Sequence, residues 1–254
     1  MKNSGNTIVL TGGGSGIGRL MAQCLHDAGN TVIIASRNMD ALAETAEGYA
    51  NIHTLELDQT DPASIDAFAK RIADDFPQAN VLINNAGIMR MEGSLASKRD
   101  LTDAEESVTN NLLGPIRLTN ALIDQLVAQP DAVLINVTSG LAFVPLVLAP
   151  TYSAIKAGIH NYTVSLRAML KDQVEVIEIA PPALRTTLTP GQENNERFMD
   201  PELFVDQVMD LLQRDPTPAE VLVEEVDYMR RAEKEDRFEE TVAGINPFLN
   251  DHQL

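Results

Sequence analysis

The sequence holds a single cysteine, Cys24, so no disulfide can close within the chain, and a cysteine-based structural zinc site is not expected. Its four histidines, His26, His53, His160 and His252, are scattered without metal-ligand spacing, and no metal site is expected. Cations are scarce: 19 Lys and Arg stand against 37 Asp and Glu, a net charge of −18. Sequence-independent phosphate binding relies on clustered Lys and Arg, so neither nucleic acid nor an anionic membrane surface is an expected partner. The acidity reads instead as solubility. No apolar run reaches the length of a membrane span. The polar start, Met1 to Asn6, leads into an apolar stretch too brief for a signal peptide. The expectation is a cytoplasmic protein.

What is present is a core. Apolar residues make up 44% of 254 residues, and a chain of this length buries most of its unfolded surface. Short β-branched runs alternate with longer helical stretches. The strand candidates are Thr7–Leu10, Thr31–Ala35, Ile52–Leu57, Val81–Asn84, Ala132–Val137, Val174–Ile179 and Val221–Val223. Helices are expected near 17–28, 39–48, 62–76, 102–128, 152–171, 201–214 and 226–241. This alternation predicts an α/β fold, a parallel sheet of about seven strands with helices on both faces. The strand runs are nearly continuous in apolar residues, as strands covered on both faces require. Asp61-Pro62 is a helix start: a cap residue before a proline at the first helical position. Two stretches look irregular, Ile88 to Asp100 and Pro181 to Pro201. Both follow strands, where open α/β sheets place their ligand crevice. No linker divides the chain, so residues 1–254 are read as one domain, with a substrate loop near 181–200 and a charged helix near 226–241.

Thr11-Gly12-Gly13-Gly14-Ser15-Gly16-Ile17-Gly18 follows the first strand and opens the first helix. Glycines there let main-chain N–H groups approach a ligand closely, and the helix start offers unpaired donors for a pyrophosphate. The spacing is Gly12-x-x-x-Gly16-x-Gly18, not the common G-x-G-x-x-G. A P-loop is excluded because no Gly-Lys-Ser/Thr follows, and a nucleophile elbow around Ser15 fails at Ile17. The second strand ends in Ser36-Arg37-Asn38, 20 residues after Gly16 at Ser36. Dinucleotide folds that select NAD place an acid near here to hold the ribose 2′-hydroxyl. This chain has none, and the Arg37 guanidinium could pair with a 2′-phosphate. NADP(H) is therefore the expected cofactor, with NAD(H) the second candidate.

Tyr152 and Lys156 stand at i and i+4, on one face of a helix. Ser139 lies 13 residues before Tyr152, just past an apolar strand. A strand end and the next helix thus converge on one crevice. Carbonyl reduction needs a hydride donor and a proton donor. A tyrosine with a pKa of ~10 is a poor acid/base at neutral pH, and a neighbouring ammonium favours its phenolate. The Ser139 hydroxyl could hold the substrate oxygen in register.

Together these residues resemble the short-chain dehydrogenase/reductase family, in its single-domain branch. The match runs from Thr7 to about Thr187. It takes in the Thr11–Gly18 turn, Asp58, Asn84-Asn85-Ala86-Gly87, Asn111-Leu112-Leu113-Gly114, Ser139, Tyr152 and Lys156. The resemblance implies a Rossmann-type doubly wound sheet in a three-layer αβα sandwich. It also implies an NAD(P)-dependent oxidoreductase that interconverts a small-molecule carbonyl and an alcohol. By it, Tyr152 is the general acid/base, Lys156 lowers the tyrosine pKa and holds the nicotinamide ribose, Ser139 orients the carbonyl, and Asn111 carries a proton-relay water. Periodicity alone does not choose between Asn110 and Asn111; the spacing to Gly114 selects Asn111 by resemblance. Asp58 would contact adenine, and Asn85, Ala86 and Gly87 would line the cofactor. Ile179–Thr186, with Pro181 and Thr186, would pass over the nicotinamide.

Two departures stand out. The family usually shows Pro-Gly where this chain has Pro181-Pro182, so that loop must run differently. The Pro-Pro, followed by Arg185-Thr186-Thr187-Leu188, is similar to the DltE-type subgroup. The charged C-terminal stretch replaces the glycine-rich strand of many tetrameric members, so the expectation shifts from a tetramer towards a homodimer through the helices at 102–128 and 152–171. The rival reading is a non-catalytic NADP(H)-binding sensor or scaffold; the intact Ser, Tyr and Lys set argues against it.

Overall fold

The computed structural model describes residues 1–92 and 97–247. His252 and part of the irregular stretch Ile88–Asp100 lie outside the described residues. The strands are β1 Thr7–Thr11, β2 Thr31–Ser36, β3 Ile52–Glu56, β4 Val81–Asn84, β5 Val133–Val137, β6 Glu175–Ala180 and β7 Glu220–Leu222. They form one parallel sheet in the order β3-β2-β1-β4-β5-β6-β7. The chain winds outward from β1 in one direction and from β4 in the other. The β1/β4 junction is therefore the switch point at which such sheets open a crevice.

Alternate strand residues feed two cores. Ile8, Leu10, Ile34 and Ile135 pack with Met21 and Leu25 of α1 (Gly16–Asp27) and Phe204 and Val208 of α7 (Pro201–Leu212). Val9, Ile33, Leu82 and Leu134 face the other way. They meet Phe68 and Ile72 of α3 (Pro62–Asp75) and Leu118 and Leu122 of α5 (Gly114–Val127). The strands are apolar on both faces because helices cover both, which makes the three-layer αβα sandwich. The predicted start of α3 is present: the Asp61 carboxylate accepts from the Ala63 N–H at 3.0 Å, with Pro62 in the first turn. Asp200 caps α7 in the same way, before Pro201. Among the described residues no helix is long and apolar enough to cross a membrane.

The structure departs from the expected elements in two places. The helix expected at 102–128 is α4 (Thr102–Val108) and α5 joined by a π turn, Thr109–Leu113. The wider turn buries both Asn110 and Asn111, which is why a regular helical period could not separate them. The single charged helix expected at 226–241 is two helices, α8 (Glu224–Arg230) and α9 (Phe238–Ile245). Between them Asp236 takes a positive φ of 55°. Residues 231–237 bury only Ala232, so that stretch has no apolar face with which to dock as a helix. Instead its charges pair locally, Arg231 with Asp227 and Arg237 with Glu235.

Candidate active site

The glycine turn sits at the β1/β4 switch point and packs on the loop that leaves β4. Thr11 joins the two. Its hydroxyl oxygen accepts from the Asn85 and Ala86 N–H groups at 3.1 and 3.0 Å, and its carbonyl accepts from the Asn85 side chain at 2.9 Å. A Cβ at Gly18 would lie 2.2 Å from the Gly12 carbonyl oxygen, so only glycine fits there. Gly16 has a φ of +51°, and a Cβ on it would lie 3.8 Å from the Thr186 side chain. Thr186 therefore arches over the turn. Gly14 faces Ala41 in the first turn of α2 (Met39–Ala46), and Ile17 packs against the core. Ser15 occupies the cap position of α1 without a side-chain cap bond, and the first turn carries no acid. Main-chain donors, a positive helix end and the absence of Cβ atoms make a cradle that fits a pyrophosphate.

At the end of β2 the three candidate residues divide. The Ser36 hydroxyl oxygen accepts from the Asn38 N–H at 3.2 Å, and the Asn38 side chain caps α2 by accepting from Ala41 at 3.1 Å. Arg37 is exposed and makes no ion pair among the described residues. Asp58 accepts from the Thr60 hydroxyl at 2.6 Å and the Thr60 N–H at 2.9 Å. The Thr60 hydroxyl, and to a lesser degree the Arg37 charge, hold the Asp58 carboxyl below its ordinary range. Among the described residues, Arg37 is thus the one of the three that makes no side-chain hydrogen bond, with its charge directed towards Asp58.

Asn111 locks the loop after β4. Its carbonyl oxygen accepts from the Ile88 N–H at 2.9 Å, and its amide donates to the Ile88 carbonyl at 2.6 Å. A Cβ at Gly87 would lie 3.3 Å from the same Asn111 oxygen. The Gln59 amide, which sequence reasoning passed over, bridges the carbonyls of Ala86 and Asn110 at 3.2 and 2.9 Å. The π turn and the Asn85–Gly87 loop are therefore held as one unit.

Ser139 follows β5, and its hydroxyl oxygen accepts from the Leu141 N–H at 3.1 Å. Tyr152 and Lys156 lie on α6 (Pro150–Met169), and all three side chains are buried. The Lys156 ammonium donates to the Val137 carbonyl at 2.9 Å and stands 5.5 Å from the centre of the Tyr152 ring. Tyr152 packs with Met89 and Ala149. Burial pushes the Tyr152 phenol above its ordinary value, against the Ser139 hydroxyl, which favours the phenolate. Burial pulls Lys156 down to about 8, against the nearby Glu178 carboxylate. In the protein by itself, then, the phenol shifts upward rather than downward, because desolvation outweighs the hydrogen bond from Ser139.

Pro181 offers its carbonyl to the Gly140 N–H at 2.9 Å, which ties the loop after β6 to the Ser139 turn. Arg185, in the same loop, pairs with Asp200. Sequence reasoning also missed Thr138, His160 and Glu178. The signals were present: Glu178 is a lone acid in an apolar strand, and His160 follows Lys156 by four residues. The structure gathers the Gly12–Gly18 turn, Asn85–Gly87, Asn111, Ser139, Tyr152, Lys156, Pro181 and Thr186 around one end of the sheet.

Comparisons with known proteins bear on the family and the fold. The sequence profile described as short chain dehydrogenase matches residues 6–197. The chain is 35% identical over 241 residues to the uncharacterized oxidoreductase DltE of Bacillus subtilis (strain 168), covering 93% of this chain and 95% of that protein. In fold it is similar to a short chain dehydrogenase from Burkholderia cenocepacia J2315 in complex with NADP, at 24% identity and a TM-score of 0.82, over 96% and 98% of the two chains. It is also similar to a short chain dehydrogenase/reductase from Burkholderia phymatum in complex with NAD, at 17% identity and a TM-score of 0.80, over 94% and 96%.

Proposed function

This chain belongs to the short chain dehydrogenase family, and from that premise we propose that it is an NADP(H)-dependent oxidoreductase that interconverts a small-molecule carbonyl and an alcohol, with Tyr152 as general acid/base. The observation that carries the reading is the burial of Ser139, Tyr152 and Lys156 together at the end of β5, beside a glycine turn shaped for a dinucleotide.

A nicotinamide bound against Asn85–Gly87 and Thr186 would supply or accept the hydride. In the reductive direction Tyr152 gives its hydroxyl proton to the carbonyl oxygen. Burial favours the protonated phenol, which is the form a general acid needs. The Ser139 oxygen already accepts from Leu141, so its own proton, directed at the Tyr152 oxygen in the protein by itself, can turn to a substrate oxygen placed between them. Lys156 spends one of its three hydrogens on the Val137 carbonyl. The other two are available to a ribose hydroxyl, and its charge stabilises the tyrosinate left after proton transfer. Asn111 keeps the loop after β4 in place under the cofactor.

The preference for NADP(H) is supported by Arg37, exposed and without an ion pair among the described residues at the end of β2, where an NAD-selecting acid is missing. The solved relatives hold NADP in one case and NAD in another, so the assignment rests on this residue. A homodimer through α4–α5 and α6 is supported by the exposed apolar side chains Val127, Val164 and Met169 on those helices, and light scattering on the purified protein tests it. The activity is tested by NADPH oxidation against a panel of aldehydes, ketones and quinones, with wild type beside Tyr152→Phe. Turnover lost in the variant supports the reading. NADPH binding without turnover on any carbonyl would overturn it in favour of a cofactor-binding protein.

A further inference from the structure

Glu178 is a charged residue where the fold has no need of one. It lies on β6 with 0% of its surface exposed, flanked by the buried Ile177 and Ile179. A buried carboxylate costs free energy, and apolar replacements of buried charges are often neutral or stabilising. Its direct partners are Thr138 and His160. The Thr138 hydroxyl donates to one oxygen at 2.7 Å, and the His160 Nδ1 meets the other at 2.8 Å.

Those partners point to the active site. Thr138 stands between Val137, whose carbonyl holds the Lys156 ammonium, and Ser139. His160 lies one turn beyond Lys156 on the same face of α6. Glu178 therefore faces the segment of helix that carries Lys156, and its charge acts on that ammonium through a dry interior.

The other charges nearby are matched among themselves. Glu220 on β7 is clasped by Arg230 of α8 through two hydrogen bonds of 2.9 and 3.2 Å. Arg230 also covers the Phe143 ring at 5.1 Å, and that ring meets His160 edge-on at 5.2 Å. Arg167, further along α6, donates to the carbonyls of Val176 and Ala219, and its field reaches Glu220. Donor atoms of His160, Glu178 and Glu220 lie within 4.8 Å of one another, but the Arg230 guanidinium already balances Glu220. Of the groups near Glu178, namely Thr138, His160, Lys156 and Arg230, Lys156 is the buried cation, while Arg230 is partly exposed and clasps Glu220.

We propose that Glu178, oriented by Thr138 and His160, is a positioning residue that keeps Lys156 charged inside the closed site, and so sets the pH range over which the Tyr152–Lys156 pair works. The inference rests on the reading of Lys156 as the partner of Tyr152. Glu178 touches no reacting atom; it acts through the lysine. Thr138 and His160 hold its two oxygens and so keep the carboxylate aimed at α6.

The test reads Lys156 directly, without a substrate. The chain has six lysines, and 13C-lysine NMR follows each through a pH titration, with Lys156 assigned by its absence from Lys156→Arg. In wild type its midpoint falls near about 8. In Glu178→Gln the midpoint moves down by roughly one pH unit or more, and Glu178→Asp restores part of the shift. The alkaline limb of kcat moves down with it, while KM for the carbonyl changes little. A merely structural role would lower the melting temperature and depress kcat equally at every pH. An unchanged Lys156 midpoint in folded Glu178→Gln would overturn the proposal. Should that variant fail to fold, Glu178→Met, suited to an apolar strand, is read by the same titration. If wild type turns over no carbonyl, the oxidoreductase reading fails, and the titration still decides the role of Glu178.

Discussion

The Lys156 ammonium donates to the Val137 carbonyl at 2.9 Å, and this bond pins α6 to the end of β5, two residues before Ser139. Sheet and helix are thereby joined at the place where Ser139, Tyr152 and Lys156 meet. A charge-assisted bond of this kind contributes roughly 1.5–3 kcal/mol. It also fixes the distance between the strand that carries Ser139 and the helix that carries Tyr152. Lys156 is thus both a charge and a spacer, and the predictions below separate the two.

Tyr152→Phe removes the proton and leaves the ring, which packs on Met89 and Ala149. The expected result is a loss of about 10²–10⁴ in kcat, with NADPH affinity within about twofold of wild type. Steady-state kinetics and a fluorescence titration of NADPH measure the two quantities separately. A comparable loss of binding would remove Tyr152 from its role as acid.

The pH profile follows from Lys156. Its pKa is lowered by burial to about 8. A lysine is charged below its pKa, so the ammonium is present at neutral pH and is lost as pH rises through that value. Carbonyl reduction should be level below about pH 8 and fall about tenfold per pH unit above it. In Lys156→Arg, whose guanidinium stays charged, that limb should disappear from the accessible range whatever the absolute rate. A limb that persists near the same pH in Lys156→Arg would assign it to another group.

Arg37→Asp places an acid where NAD-selecting folds carry one. Loss of a charge-assisted bond to a 2′-phosphate, worth roughly 1.5–3 kcal/mol, should weaken NADPH by about 10–100-fold. NADH should then bind as well or better. Side-by-side titrations of both cofactors decide this, and a retained preference for NADPH would refute the assignment of Arg37.

Gly18→Ala tests the cradle. The added Cβ would meet the Gly12 carbonyl oxygen at 2.2 Å and the Asn85 amide nitrogen at 2.6 Å. The first of these is main chain and cannot swing aside. The turn must shift, at a cost of roughly 1–3 kcal/mol. Thermal melts should show a lower Tm and the loss of the stabilisation that NADPH gives wild type. An unchanged NADPH-dependent rise in Tm would show that the cofactor does not sit on this turn.

Much of this protein was readable from local pattern. The β1-turn-α1 unit, the Asp61-Pro62 helix start and the pairing of Tyr152 with Lys156 one helical turn apart depend on residues within a few positions of each other. Local sterics and periodicity decide such features, and the sequence states them directly. The apolar strands also announced a sheet covered on both faces.

What the sequence could not decide depends on residues that meet only after folding. Periodicity did not separate Asn110 from Asn111; the π turn buries both, and only Asn111 reaches the Ile88 main chain among the described residues. The charged stretch after Val226 matched a helix in composition, but it lacked a partner surface and broke into α8 and α9. Glu178 and His160 belong to different elements, and nothing in the local run of either announces the other. The direction of the Tyr152 shift turned on how deeply α6 buries the phenol, not on its spacing from Lys156. The sequence by itself determined which elements form and which residues stand at the strand ends, because those follow from short-range sterics and hydrophobic period. The tertiary structure alone decided which side chains share a dry interior, and there desolvation and buried charge set the protonation states on which the chemistry depends.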